Sequence, residues 1–130
     1  MQTFAGLYRT NIGCLAAPGR ESSPSGSFAR MLCMLTVRRL KPGTHDEFRK
    51  SWAPERWHGR LVRAYHIRNQ EDPAEVITVG FFEGTPEEID AMRDEPDWMA
   101  GEERRLRRIA PLEESVKLAG VYEVIEEITP

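Results

Sequence analysis

Between Glu75 and Glu88 the chain reads EVITVGFFEGTPEE, and this stretch leaves few folds open. Val76, Ile77, Thr78, Val79, Phe81 and Phe82 are β-branched or aromatic at successive positions. A strand apolar on both faces belongs in the middle of a sheet that is covered on both sides. Gly84 ends it. Thr85-Pro86-Glu87-Glu88 then spells a capping box with proline at the first helical position. Thr85 can accept from the Glu88 amide while the Glu88 carboxylate reaches back. A central strand therefore runs through one turn into a helix.

A second run, Met31 to Val37, is also apolar on both faces and predicts another central strand. Arg38 to Gly43 is expected to leave the sheet. Thr44-His45-Asp46-Glu47 reads as a second capping box, with Phe48 and Trp52 at helical spacing and Pro54 as the stop. Leu61 to Arg68 alternates as an edge strand does. Leu61, Arg63, Tyr65 and Ile67 share one face; Val62, Ala64, His66 and Arg68 share the other. Asn69 to Pro73 is rich in turn formers and closes a hairpin. Pro86 to Ile109 is helical by pattern, and Pro96 divides or kinks it. The Glu102 to Arg108 charges are expected at a solvated helix end, supporting the dipole and a Glu103–Arg107 pair. Val116 to Ile128 reads as the last strand, with a bulge at Gly120.

The order is β-α-β-β-α-β, an α+β, ferredoxin-like arrangement with a four-stranded antiparallel sheet and helices on one face. Its first and third strands lie in the middle of the sheet, and these are the two with apolar residues on both faces. No element remains for the other sheet face, so a homodimer is the expected cover.

Of 130 residues, 40% are hydrophobic, enough for one core. Residues 1–30 differ: PGRESSPSGS is linker-like, predicting a flexible N-terminal extension before a domain at 31–130. Met31 and Met34 are alternative candidate starts. The net charge of -3 gives no footprint for nucleic acid. No run of 18 apolar residues predicts a membrane span, and Met1 to Ala17 makes a poor signal peptide. Two cysteines form no disulfide framework, so a cytoplasmic setting is expected.

His66, on a strand beside Tyr65, reads either as a core or interface histidine or as the acid–base group of a pocket between sheet and helices. Trp52, Trp57 and Trp98 are candidates for an aromatic pocket wall, with the alternative that Trp52 and Trp98 are core. His45, at the first helical position, is expected to be solvated. His45, His58 and His66 lack ligand spacing, so no metal is expected. No glycine-rich phosphate loop or GxSxG occurs.

The run MLCMLTVRRLKPG, the Ala64-Tyr65-His66 step and Val79-Gly80-Phe81-Phe82-Glu83-Gly84 together resemble the antibiotic biosynthesis monooxygenase superfamily of dimeric α+β barrels. The resemblance covers Met31 to about Ile128. It implies a homodimer with facing sheets and a pocket in each subunit between sheet and helices. Some members oxidise phenolic polyketides with molecular oxygen and no metal or flavin. His66 matches a histidine of those oxygenases, while Thr78, Phe82 and Glu88 stand where they carry asparagine, tryptophan and tyrosine. Haem-degrading members carry asparagine, tryptophan and histidine where this chain has Thr36, Met92 and Glu102, so haem is not implied. The implied function is a cofactor-independent monooxygenase acting on a small aromatic or phenolic compound. His66 would be catalytic, with Tyr65, Trp52, Trp57, Thr78, Phe82, Met92 and Trp98 around the substrate. The alternative is a non-catalytic small-ligand-binding or accessory dimer of the same fold.

Overall fold

A computed structural model describes residues 30–130; apart from Arg30, the extension expected at 1–30 lies outside the described residues. The elements are β1 (Met31–Leu40), α1 (His45–Trp52), β2 (Leu61–Arg68), β3 (Glu75–Glu83), α2 (Pro86–Arg93), α3 (Pro96–Ile109), a 3-10 turn (Ala110–Leu112) and β4 (Glu113–Glu123). The antiparallel sheet has the order β2-β3-β1-β4. This is the ferredoxin-like topology, with β1 and β3 in the middle as their composition requires.

The Thr85 cap forms as its sequence dictates. The Glu88 amide donates to the Thr85 hydroxyl at 3.2 Å, and the Thr85 amide donates to Glu88 Oε1 at 2.9 Å. Gly84 supplies the turn before it with φ +147°, where a Cβ would stand 3.0 Å from Arg60 Nη1. Pro96 separates α2 from α3 outright.

Five expectations need correcting. The Thr44 box does not form, because its hydroxyl donates to the Lys41 carbonyl at 2.7 Å and closes the preceding turn instead. β1 runs on through Leu40, carrying Arg38 into the interior. β4 begins at Glu113 and ends at Glu123, so 124–130 lie beyond the sheet. Gly120 pairs regularly with Leu35; the register slips instead between Val37 and Arg38 and between Arg39 and Leu40 of β1, which leaves Lys117 and Glu114 of β4 as the extra residues. A slip between Leu61 and Arg63 of β2 turns Leu61 toward the helices, opposite Phe82, while Arg63, Tyr65 and Ile67 face the other way.

Two apolar clusters lie between sheet and helices. One joins Leu32, Met34, Phe82 and Val121 to Ile89 and Met92 of α2. The other joins Leu40 and Val76 to Phe48 of α1 and Ile109 of α3. Burying such side chains contributes about 1.5–3 kcal/mol each. Polar residues separate the clusters. Across the sheet, His66 pairs with Thr78, Thr78 with Thr36, and Thr36 with Ala119. One row further, Arg38 is 1% exposed, ion-paired to Glu113, and donates to Thr78 Oγ1 at 2.8 Å. Burial pushes the Glu113 carboxyl above its usual range, and Arg38 partly opposes that shift. The far sheet face is apolar too: Tyr65, Ile67, Leu118 and Tyr122 are each more than 40% exposed on it.

Candidate functional site

The sheet row next to the threonines joins two small residues to a methionine. Ala64 of β2 pairs with Gly80 of β3, and Gly80 pairs with Met34 of β1. A Cβ at Gly80 would sit 3.1 Å from the Phe82 ring and 3.3 Å from Leu61 Cδ1. The missing Cβ lets Phe82 and Leu61 close over Gly80, and beside them a cavity of about 110 Å3 remains. It lies between the sheet floor, the end of α1 with its following loop, and α3.

Its walls are aromatic. Trp52 and Trp57 meet edge to face, with ring centres 5.8 Å apart. Phe82 and Trp98 do the same at 5.9 Å. Outside lies a wider mouth of about 620 Å3, bounded by Trp57, His58, Trp98 and Arg104 among others. His58 holds this rim together. Its Nδ1 accepts from the Arg60 amide at 3.0 Å, so Nε2 carries the proton and donates to Glu95 at 3.2 Å.

Arg56, His58, Thr78, Asp97, Glu102 and Arg105 give the cavity polar atoms. Glu102 and Arg105 form an ion pair one helical turn apart, and both are buried. Arg105 also donates to the Trp52 carbonyl at 3.3 Å, with its guanidinium 5.9 Å from the centre of the Trp52 ring. The expectation of a solvated helix end therefore fails for these two residues. Trp98, Glu102, Arg105 and Ile109 fall at i, i+4, i+7 and i+11, one inward stripe of α3. That spacing was the available signal, hidden because two of its four members are charged. Arg107 and Glu103 do pair on the solvent side, at 3.3 Å.

Of the residues predicted for the site, Trp52, Trp57, Thr78, Phe82 and Trp98 come together around the cavity. Tyr65 does not: it faces away from the helices, against Phe81, with ring centres 6.3 Å apart. Met92 is 1% exposed within the apolar cluster beneath α2. His66 lies on the helix side but behind Trp52 rather than on the cavity wall. Its ring is 5.2 Å from those of His45 and Phe48 and 6.0 Å from Trp52. His45 is thus drawn into the interior rather than solvated, and the Nε2 atoms of both histidines are buried without a hydrogen-bond partner. Burial first, then the charges of His45, Arg49, Arg38 and Arg68, lower the His66 pKa to about 4. The imidazole is neutral at neutral pH and a weak base. Among the described residues, no three His, Cys, Asp or Glu side chains gather as metal ligands, and no helix is long and apolar enough to cross a membrane.

No family model and no curated protein sequence matches the chain. Solved structures do. A protein of Chloroflexus aurantiacus carrying the provisional name antibiotic biosynthesis monooxygenase superposes with a TM-score of 0.55 at 14% identity, over 77% of this chain and 96% of its own. One from Bordetella bronchiseptica with the same provisional name gives 0.54 at 14%, over 75% and 98%. A third, from Nitrosomonas europaea, gives 0.53 at 11%, over 78% and 97%. The chain shares the ferredoxin-like α+β fold of proteins named as antibiotic biosynthesis monooxygenases.

Proposed function

We propose that the protein binds a small phenolic compound in the cavity between its sheet and α3, and that it works as a homodimer. The observation that carries this reading is a chamber with Trp52, Trp57, Trp98 and Phe82 in its walls and one buried polar pair beside them. Flat aromatic walls suit a flat aromatic guest, and a few placed polar atoms orient it. The exposed apolar side chains on the open sheet face support the dimer.

Two uses of the bound compound remain in competition. One is oxygenation: solved structures of this fold carry the name monooxygenase, and the sequence resemblance adds a route by molecular oxygen without a metal or flavin; fold alone is analogy. The other is binding without chemistry. The placement of His66 behind Trp52 favours binding, because the candidate base neither touches the cavity nor holds a proton readily.

Titration of single-ring and fused-ring phenols against tryptophan fluorescence tests the pocket. Saturable quenching is expected, weakened at least tenfold by Trp98→Ala. No saturable binding by any phenol refutes the proposal. Oxygen uptake with the phenols that bind separates the two uses: turnover lost in His66→Ala restores His66 as a catalytic group, and no turnover leaves a binding protein.

A further inference from the structure

The polar atoms left open in the cavity specify more than an aromatic ring. Glu102 is 8% exposed and Arg105 11% exposed in their side chains, so both charges are largely removed from water. Their pairing makes the site neutral overall. Arg105 is a donor only, and two of its five N–H groups are already used: Nη2 to Glu102 Oε2 and Nη1 to the Trp52 carbonyl, with the guanidinium beside the Trp52 ring. Thr78 Oγ1 already accepts from Arg38. Glu102 has a second oxygen, Oε1, with no protein partner among the described residues. An ionised carboxylate oxygen only accepts.

We infer that Glu102 is the specificity-determining residue of this cavity, selecting an uncharged single-ring aromatic compound that presents a hydrogen-bond donor such as a phenolic hydroxyl. This rests on the pocket reading above and sharpens it. An acceptor on a largely buried carboxylate beside aromatic walls, open on the cavity side, favours a guest that supplies the donor over one that cannot. A carboxylate-bearing ring is disfavoured beside Glu102, which repels the anion: Arg105 is already paired, and Arg56 and Asp97, which also line the chamber, offset each other. Size points the same way. A cavity near 150 Å3 holds benzene, so a chamber of about 110 Å3 with an open mouth takes one ring, not several.

The test is binding by the full chain of phenol, toluene and benzoate, followed by ligand-observed NMR. The wild type is expected to bind phenol at least tenfold more tightly than toluene, and benzoate weakest. Glu102→Gln should narrow the phenol-to-toluene ratio. Because that variant leaves Arg105 buried without its counter-ion, a second one carries Glu102→Leu with Arg105→Met. Replacing both members of a buried ion pair by apolar residues of similar size is often neutral for stability. In this double variant the ratio should fall to about one while toluene still binds. Equal binding of phenol and toluene by the wild type overturns the inference and leaves the pocket standing. So does preferred binding of benzoate, or an unchanged ratio in the double variant. Failure of all three compounds while a fused-ring phenol binds overturns this inference alone, and failure of every phenol overturns the pocket reading with it.

Discussion

Acidification should unfold the protein partly through one side chain, His66. Its imidazole is wedged among His45, Phe48 and Trp52, with Nε2 buried and unbonded. Burial, and then the nearby cationic groups, lower its pKa from 6.5 to about 4. The folded state prefers the neutral ring, so the unfolded chain takes up the proton first. The stabilisation is fully present above pH 6.5 and is lost as the pH falls toward about 4. The full shift converts to about 3 kcal/mol, and partial solvent contact of the ring reduces this to about 1–2 kcal/mol. The assay is urea unfolding at pH 7.5 and pH 4.5, at fixed protein concentration, for wild type and His66→Phe. Carboxylates titrate over the same range, so the difference between the two proteins is the quantity that matters. The wild type should lose about 1–2 kcal/mol more than the variant across that interval. Parallel pH profiles, or an NMR titration placing His66 near 6.5, would refute the reasoning.

Two further outcomes follow from the fold. Glu113→Ala strips the carboxylate from the buried Arg38 guanidinium and should cost about 3–5 kcal/mol, while Arg38→Met with Glu113→Leu should cost far less. Thermal unfolding decides, and a double variant no more stable than the single one contradicts the ion-pair account. On the open face, Leu118→Glu should convert a species of twice the chain mass in light scattering to a monomer. A wild-type chain that is already monomeric at micromolar concentration removes the homodimer.

How much could be read in advance differed from place to place for physical reasons. The capping box at Thr85 and the bounds of β2 and β3 were legible because their causes are local: a cap needs four residues and a hairpin a few more. The box at Thr44 failed because a competing acceptor, the Lys41 carbonyl, became available only once the preceding turn had folded. The bulges of β4 answer to β1, a strand some 80 residues away in sequence, and leave no mark at Gly120. The tryptophans of the cavity were visible as residue types. Glu102 and Arg105 were not, since a charged pair on a helix ordinarily faces water.

Sequence by itself determined the element order and the two central strands, because alternation and periodicity fix which residues share a face. Tertiary structure alone decided where the site lies. Ala64 and Gly80 of the sheet, Trp52 and Trp57 near the end of α1, and Trp98 of α3 meet around one cavity only when these elements pack. Trp52 then stands between that cavity and His66, while α3 turns a buried carboxylate into it. A cavity is the volume that several elements leave unfilled, and no single segment encodes it.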